Sequence, residues 1–335
     1  MLRRWMVPLL IAVLFTGVGA APAGAHGAGG HGAAPAAGIG IKLLEAPVSR
    51  RDDPRAHTYI VDHLAPGSVI KRRVEVTNES ATLRHIDLYA AAASIDDNAF
   101  AFAPEHTPNE LSTWTSLDRT GVDVPAWGSS PVQVSLHVPN DASTGERYAV
   151  IWAQGAVAPD QSHSVTLVNR VGVRMYIDVG PGGEPPSDFR IDKVTPARTR
   201  DGRPELWAQV RNTGGRAVDL SGTLSLSGGP GGLRAGPFTA ETGTTLLPGG
   251  HAPVTVLLDK QLPDGPWAVD LTLKSGLVVR EVNAVVTFPH TPGATGNAVE
   301  LGLARWRTRL ALAAVAALVL AGVAGYQFRR VRQRA

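Results

Sequence analysis

Val132-Gln133-Val134-Ser135-Leu136-His137-Val138 alternates apolar and polar side chains without a break. Successive side chains of a strand point to opposite faces, so this run predicts a half-buried β-strand with its valines and Leu136 on the core side. The pattern extends outward in both directions. Val69 to Val76 closes on Val74-Glu75-Val76-Thr77-Asn78, which alternates and then stops at a turn-forming Asn. Tyr148 to Trp152 and Val171 to Val179 are rich in β-branched and aromatic residues. Leu206 to Val210, Leu220 to Leu226, Val254 to Leu258, Ala268 to Leu273 and Val278 to Phe288 continue the series. No amphipathic helix of three turns interrupts it; Asn109 to Trp114 predicts one short helix. Short strands with turn signals at a spacing of about 8–12 residues indicate antiparallel sandwiches. The predicted fold is all-β: two tandem immunoglobulin-like antiparallel β-sandwiches plus one C-terminal transmembrane helix.

The halves echo each other. Pro125-Ala-Trp-Gly-Ser-Ser-Pro131 leads into Val132-x-Val134-x-Leu136 and then Gly145-Glu-Arg-Tyr148. Pro248-Gly-Gly-His-Ala-Pro253 leads into Val254-x-Val256-x-Leu258 and then Gly265-Pro-Trp267. Val74-x-Val76-x-Asn78 likewise matches Ala208-x-Val210-x-Asn212. Gly/Pro/Ala-rich stretches at 21–38, 180–187 and 289–298 have linker composition and separate the bodies.

Both ends read as membrane-directed. Arg3-Arg4, the apolar Val7 to Val18 and Ala23-Gly-Ala25 form a secretory signal over 1–25. Leu310 to Phe328 holds 19 uncharged residues, about 29 Å of helix, enough for a hydrocarbon core of about 30 Å. The expected organisation is a signal peptide (1–25), a flexible Gly/Ala/His segment (26–38), a first sandwich (39–179), a linker (180–187) and a second sandwich (188–288). A stalk (289–309), a transmembrane helix (310–328) and a basic cytoplasmic tail (329–335) follow. Arginines after the apolar run place the C-terminus in the cytoplasm and the body outside. Ala313, Ala317, Ala321 and Gly325 form a small-residue stripe able to pair two such helices into a weak homodimer.

Charge excludes one class of partner. Residues 26–300 keep 23 of the 32 basic groups against all 29 acidic ones, so the pI near 9.4 reflects the termini and no nucleic acid is expected. The absence of cysteine excludes disulfides, thiolate catalysis and zinc–cysteine sites. G-x-S-x-G, H-E-x-x-H and the phosphate-cradling G-x-x-x-x-G-K-[ST] do not occur, so neither an enzyme nor a cofactor is expected.

Several polar groups remain as candidates. His57, His63, His85, His106 and His137 fall in the first body; His57 and His63 share strand parity but stand about 20 Å apart, too far to hold one ion. His26, the N-terminus after cleavage at Ala25, is a copper candidate, and an exported copper-binding protein or an enzyme using the first-body histidines is the alternative function. Asp96-Asp97-Asn98 lacks the spacing of a calcium loop and reads as a polar hairpin turn. Arg50-Arg-Asp-Asp-Pro54 is an exposed charged loop, either a self-paired cluster or a recognition loop, with Arg51, Asp52 and Asp53 as ligand-binding candidates. Trp114 and Trp127 bracket a polar stretch: core packing is one reading, stacking on sugar rings the other. No metal site is expected.

Ile39-Gly-Ile-Lys-Leu-Leu-Glu-Ala-Pro-Val-Ser-Arg-Arg-Asp-Asp-Pro54, Tyr59-Ile-Val-Asp-His-Leu-Ala-Pro-Gly67, Val74-Glu-Val-Thr-Asn78 and Gly145-Glu-Arg-Tyr148 together resemble the N-terminal domain of WxL-interacting proteins, a Gram-positive surface family. The resemblance covers about 39–155 and extends more weakly to the second body and the anchor. Arginine outnumbers lysine 27 to 5, which suggests an actinobacterial relative. It implies a first domain that binds peptidoglycan, a second that binds host or surface proteins, and no catalysis. The resulting expectation is a single-pass cell-membrane protein whose extracellular body lies on the cell-wall side. That body would engage peptidoglycan or a surface protein by sheet face, loops or an exposed edge strand; a factor holding another protein's strand is a further possibility.

Overall fold

The computed structural model describes residues 38–157, 166–241 and 243–301. The first half contributes β1 (Ile39–Leu43), β2 (Ile60–Leu64), β3 (Val69–Asn78), β4 (Arg84–Asp96), β5 (Ala99–Phe102), β6 (Thr115–Leu117), β7 (Gly121–Val124), β8 (Ser129–His137), β9 (Gly145–Val157) and β10 (Leu167–Val179). One sheet runs β1-β3-β8-β6; the other runs β2-β10-β9-β4, with β7 and β5 pairing the two ends of β4. Val132, Val134 and Leu136 of β8 and Val74 and Val76 of β3 face Ile86, Leu88, Ile151, Met175 and Ile177 across the sandwich. The alternation of β8 is thus realised face for face.

Two short helices sit outside the sheets. Asp53 caps α1 (Pro54–Thr58) by accepting from Arg55 N at 2.9 Å, with Pro54 in the first turn. His57 therefore lies on a helix, not in register with His63: an N-cap and proline override the apparent strand parity. Asn109 caps α2 (Glu110–Thr113) through a reciprocal pair with Ser112. The β4–β5 turn places Asp97 and Asn98 at φ 47° and 58°, the paired left-handed residues of a two-residue hairpin.

The second half contributes β11 (Phe189–Arg198), β12 (Pro204–Asn212), β13 (Val218–Asp219), β14 (Ser221–Ser227), β15 (Ala235–Thr239), β16 (Thr245–Leu246), β17 (His251–Leu257), β18 (Trp267–Ser275), β19 (Val278–Val286) and β20 (Val299–Glu300). Sheets β17-β12-β11-β20 and β15-β14-β18-β19 enclose Phe189, Leu224, Trp267 and Phe288, and β13 pairs β16. The Trp267 ring lies over Gly229, where a Cβ would come within 2.2 Å of it. Part of the expected stalk belongs to this sandwich: β20 pairs Lys193 and Val194, and Val299 and Leu301 pack on the core. Apolar side chains at these positions give that segment surface to bury.

The echo between the halves has a structural basis in two buried asparagines. Asn78 donates to the carbonyls of Thr82, Val124 and Pro125, and its own N–H reaches Gly128 O. Asn212 donates to the carbonyls of Arg216 and Leu246, and its N–H reaches Gly250 O. Each closes a strand end against the turn that starts the neighbouring strand.

Among the described residues no helix is long and apolar enough to cross a membrane. The signal at 1–25, His26, the run 310–328 with its Ala313, Ala317, Ala321 and Gly325 stripe, and the basic tail lie outside the described residues.

Candidate functional site: an open strand edge beside an interdomain cleft

The linker region is pinned. Gly180 N donates to Leu64 O at 3.1 Å, and His63 bridges Asp178 Oδ2 (2.6 Å) and the Gly182 carbonyl (3.1 Å). Glu184 is held by Arg50 and Arg216. Arg216, 1% exposed, also donates to Glu146 Oε1 at 2.7 Å, while Glu146 Oε2 accepts from Tyr148 Oη (2.9 Å) and Ala217 N (2.7 Å). A second cluster centres on Asp219, which accepts from Tyr176 Oη (2.7 Å) and Thr245 Oγ1 (2.8 Å). Arg55 Nη2 lies 2.8 Å from its Oδ2, an ion pair off the hydrogen-bonding line, and Arg174 Nη1 lies 3.5 Å from Oδ1. Burial, reinforced by the neighbouring carboxylates Glu146 and Asp219, pushes the Tyr148 and Tyr176 phenols far above their ordinary range. Both therefore stay neutral donors.

Beside the Asp219 cluster opens a cleft of about 360 Å³, lined by Arg55, Tyr59, Arg174, Asp219, Thr245 and Lys274 among others. Three cations face one carboxylate, so its field is positive.

Strand β10 runs into this cleft. It pairs β9 over its whole length, but β2 accompanies it, in parallel, only from Met175 to Val179. The Gly180 N–H points toward β2, so the even residues of the uninterrupted β10 turn their backbone groups away from β9. Among the described residues, no strand pairs with the outward N–H and C=O groups of Val168, Arg170 and Gly172. The open stretch, Leu167 to Val173, is about 23 Å long. It stays open because the chain before Ile60 leaves the line of β2 and winds into α1.

The two faces of this edge differ. Val171 and Val173 point inward and pack on the first core, with Ile41 of the opposite sheet packed on the same core. Outward lies an aromatic layer. Trp152 is the cross-strand neighbour of both Gly172 and Tyr89, and Phe102 packs at 4.9 Å from the Trp152 ring. A Cβ at Gly172 would sit 2.7 Å from Trp152 Cε3, so only glycine admits the ring. Arg170 lies over the Trp152 face at 4.1 Å and Arg174 over Phe100 at 4.7 Å.

The sequence candidates fall elsewhere. Arg51 and Asp52 are exposed, and the Arg51 carbonyl accepts from His57 Nε2. Asp53 caps α1 and lies 3.7 Å from Arg50, so part of the charged loop is self-paired. Trp114 is half-buried under Arg147 at 4.9 Å, whereas Trp127 is 72% exposed in the left-handed region at φ 56°. The Trp114 carbonyl accepts from His137 N at the end of β8, and Trp127 precedes its start. The length of β8, about 27 Å, separates them, so the two rings do not form one platform. His85 lies between Asp123 and Asp87 and His106 stacks on Tyr89. No three His, Asp or Glu side chains converge as metal ligands among the described residues. The β10 edge was partly visible as the Val171 to Val179 run, but its open half depends on where β2 stops, which is set by the α1 cap.

No protein-family model matches the chain. No curated protein matches it. Solved structures do. A chain from the complex of the Salmonella enterica SafA pilin with the SafB chaperone shares 9% identity over 75% of this chain and 99% of that one, with a TM-score of 0.42. The E. coli chaperone DraB shares 12% over 74% and 98%, TM-score 0.37. The Pseudomonas aeruginosa CupB2 chaperone shares 12% over 69% and 98%, TM-score 0.36. With TM-scores below 0.5, these likenesses assign the chain no role. The resemblance to WxL-interacting proteins is overturned: no comparison brings evidence of that family, of a Gram-positive surface protein or of peptidoglycan binding. The placement as a single-pass cell-membrane protein is not upheld either: among the described residues no helix is long and apolar enough to cross a membrane.

Proposed function

We propose that the chain is a non-catalytic binding protein that captures an extended segment of another protein by strand addition to β10. The observation that carries this reading is the unaccompanied outward backbone of Val168, Arg170 and Gly172, in line with β2 and backed by an apolar inner face. Main-chain hydrogen bonds would supply affinity there, and alternate side chains of the guest would supply specificity.

Amide exchange tests it, with capped heptapeptides bearing valine at odd positions and polar residues at even ones. Bound peptide protects the amides of Val168, Arg170 and Gly172, while those of Asn169, Val171 and Val173, which face β9, are protected throughout. Val168→Pro removes one outward donor and no bond to β9, so it leaves thermal stability within about 0.5 kcal/mol and weakens the peptide. Protection at another edge, or unchanged affinity in that variant, would refute strand addition at β10.

A further inference from the structure

The outer face of the open edge carries chemistry that a merely apolar strand would not use. Arg170 and Arg174 flank Gly172 on this face. Their guanidinium groups are held over aromatic rings, Arg170 on Trp152 and Arg174 on Phe100. Stacking fixes their planes and leaves the N–H edges available to an acceptor. Among the described residues Arg170 has no carboxylate partner, and Arg174 shares Asp219 with Arg55. The edge is thus positive, and it leads to a cleft where Arg55 and Lys274 add to that sign.

Gly172 leaves no side chain of its own between the two arginines. The space above it is shared by the Val150 Cγ2 methyl and the benzo edge of Trp152, whose Cε3 and Cζ3 are the ring atoms closest to the Gly172 site. A ring edge is the positive part of the aromatic quadrupole and favours an anion. A guest residue paired with Gly172 projects its side chain onto this same face, diagonal to Arg170 and Arg174 and within reach of their long side chains. Its neighbours on either side project inward, beside Val171 and Val173 on the apolar core.

We infer that the segment added to β10 carries an acidic side chain at the position paired with Gly172, flanked on both sides by apolar residues. This rests on the strand-addition reading and names the class of guest: an extended apolar–acidic–apolar peptide. The guest's carboxylate would sit between two guanidinium groups and against the edge of Trp152. Arg170, Gly172 and Arg174 then determine specificity, and the outward backbone groups supply affinity.

Three capped heptapeptides separate the two claims: Val-Thr-Val-X-Val-Thr-Val with glutamate, glutamine or lysine at X, measured by fluorescence anisotropy against the full chain. The glutamate peptide binds about fivefold tighter than the glutamine one, and the lysine peptide binds most weakly. The glutamate advantage falls to about onefold in the double variant Arg170→Gln/Arg174→Gln. It also shrinks at high salt in the parent chain, a readout that needs no substitution. Equal binding of glutamate and glutamine peptides, or an advantage retained in the double variant, overturns the acidic guest and leaves strand addition standing. If none of the three binds, strand addition itself fails.

Discussion

Arg216→Ala tests how the two sandwiches are held together. The side chain is 1% exposed and its guanidinium meets Glu146, itself 5% exposed, Glu184, and the carbonyls of Asp62 and Tyr176. Alanine leaves Glu146 Oε1 buried without its cation, although Oε2 keeps Tyr148 and Ala217, and Glu184 keeps Arg50. Breaking a buried pair from one side costs about 3–5 kcal/mol, because a charge remains uncompensated. At about 2–4 °C per kcal/mol for a folded body of this size, the midpoint falls by about 6–20 °C. Calorimetry should show the loss as a single transition splitting in two, since Glu146 belongs to β9 and Arg216 to the loop before β13. Arg216→Met with Glu146→Gln removes both charges and should recover a large part of the loss. Peptide binding at Val168 to Gly172 should persist in the single variant at low temperature, because that edge lies wholly in the first sandwich. A midpoint within about 1 °C of the parent, or a double variant worse than the single one, would refute the argument.

Asn78→Ala and Asn212→Ala should each cost about 2–4 kcal/mol in urea unfolding, since each strands two or more buried carbonyls, and a loss below about 1 kcal/mol for either would deny the twin-corner argument. Asp123, hydrogen-bonded to His85 and aided by Asp87, raises the His85 pKa above 6.5, so this contact favours the folded state below about pH 6.5 and its contribution is lost as pH climbs through the raised folded value. Proton NMR titration should show that elevation, and Asp123→Asn should reduce it. Trp127 stands in the left-handed region at φ 56° with 72% of its surface exposed, where its counterpart after Asn212 is Gly249 at φ 77°. Trp127→Gly should therefore stabilise the fold by about 0.5–1 kcal/mol, and a thermal midpoint that drops instead would show that the indole makes contacts worth more than the strain.

The sandwiches were legible because period-2 patterning is a local signal. Val132 to Val138 alternates in sequence and in burial, and Val74-x-Val76-x-Asn78 matched Ala208-x-Val210-x-Asn212 for a reason the buried amides make plain. β4 was harder to read, because Ala90 to Ala93 lets alanines face both layers and erases the alternation. The candidate site was legible only in fragments. Arg170 and Arg174 are two arginines among 27 in the sequence, and nothing local says that Trp152 lies across from Gly172. That adjacency is non-local register. The charged loop was legible as exposed and partly self-paired, but Asp53-Pro54 is also a helix start, and that cap was not read from the sequence. The family likeness rested on short strand phrases that any sandwich of this composition can carry.

An open strand edge is ordinarily a liability, since it templates pairing with other chains. β10 limits that risk in its construction. Its C-terminal half is covered by β2 and fixed through Tyr176 to Asp219 and through Asp178 to His63, so the exposed half projects from a rigid base. Two guanidinium groups on the outer face repel basic and disfavour purely apolar strands, while the glycine between them removes a side chain that would otherwise keep a guest from the Trp152 edge. A strand protected only by repulsion would need charges and nothing else. The combination of paired arginines, an intervening glycine and an apolar inner face is instead selective: it excludes most segments and admits one whose charge and alternation are complementary. On this argument Gly172→Ser should impair the fold locally by crowding Trp152, whereas Arg170→Gln should leave the fold intact and broaden the range of peptides accepted. A variant at Arg170 that kept discrimination between glutamate and glutamine would assign that selectivity to Arg174 and the cleft alone.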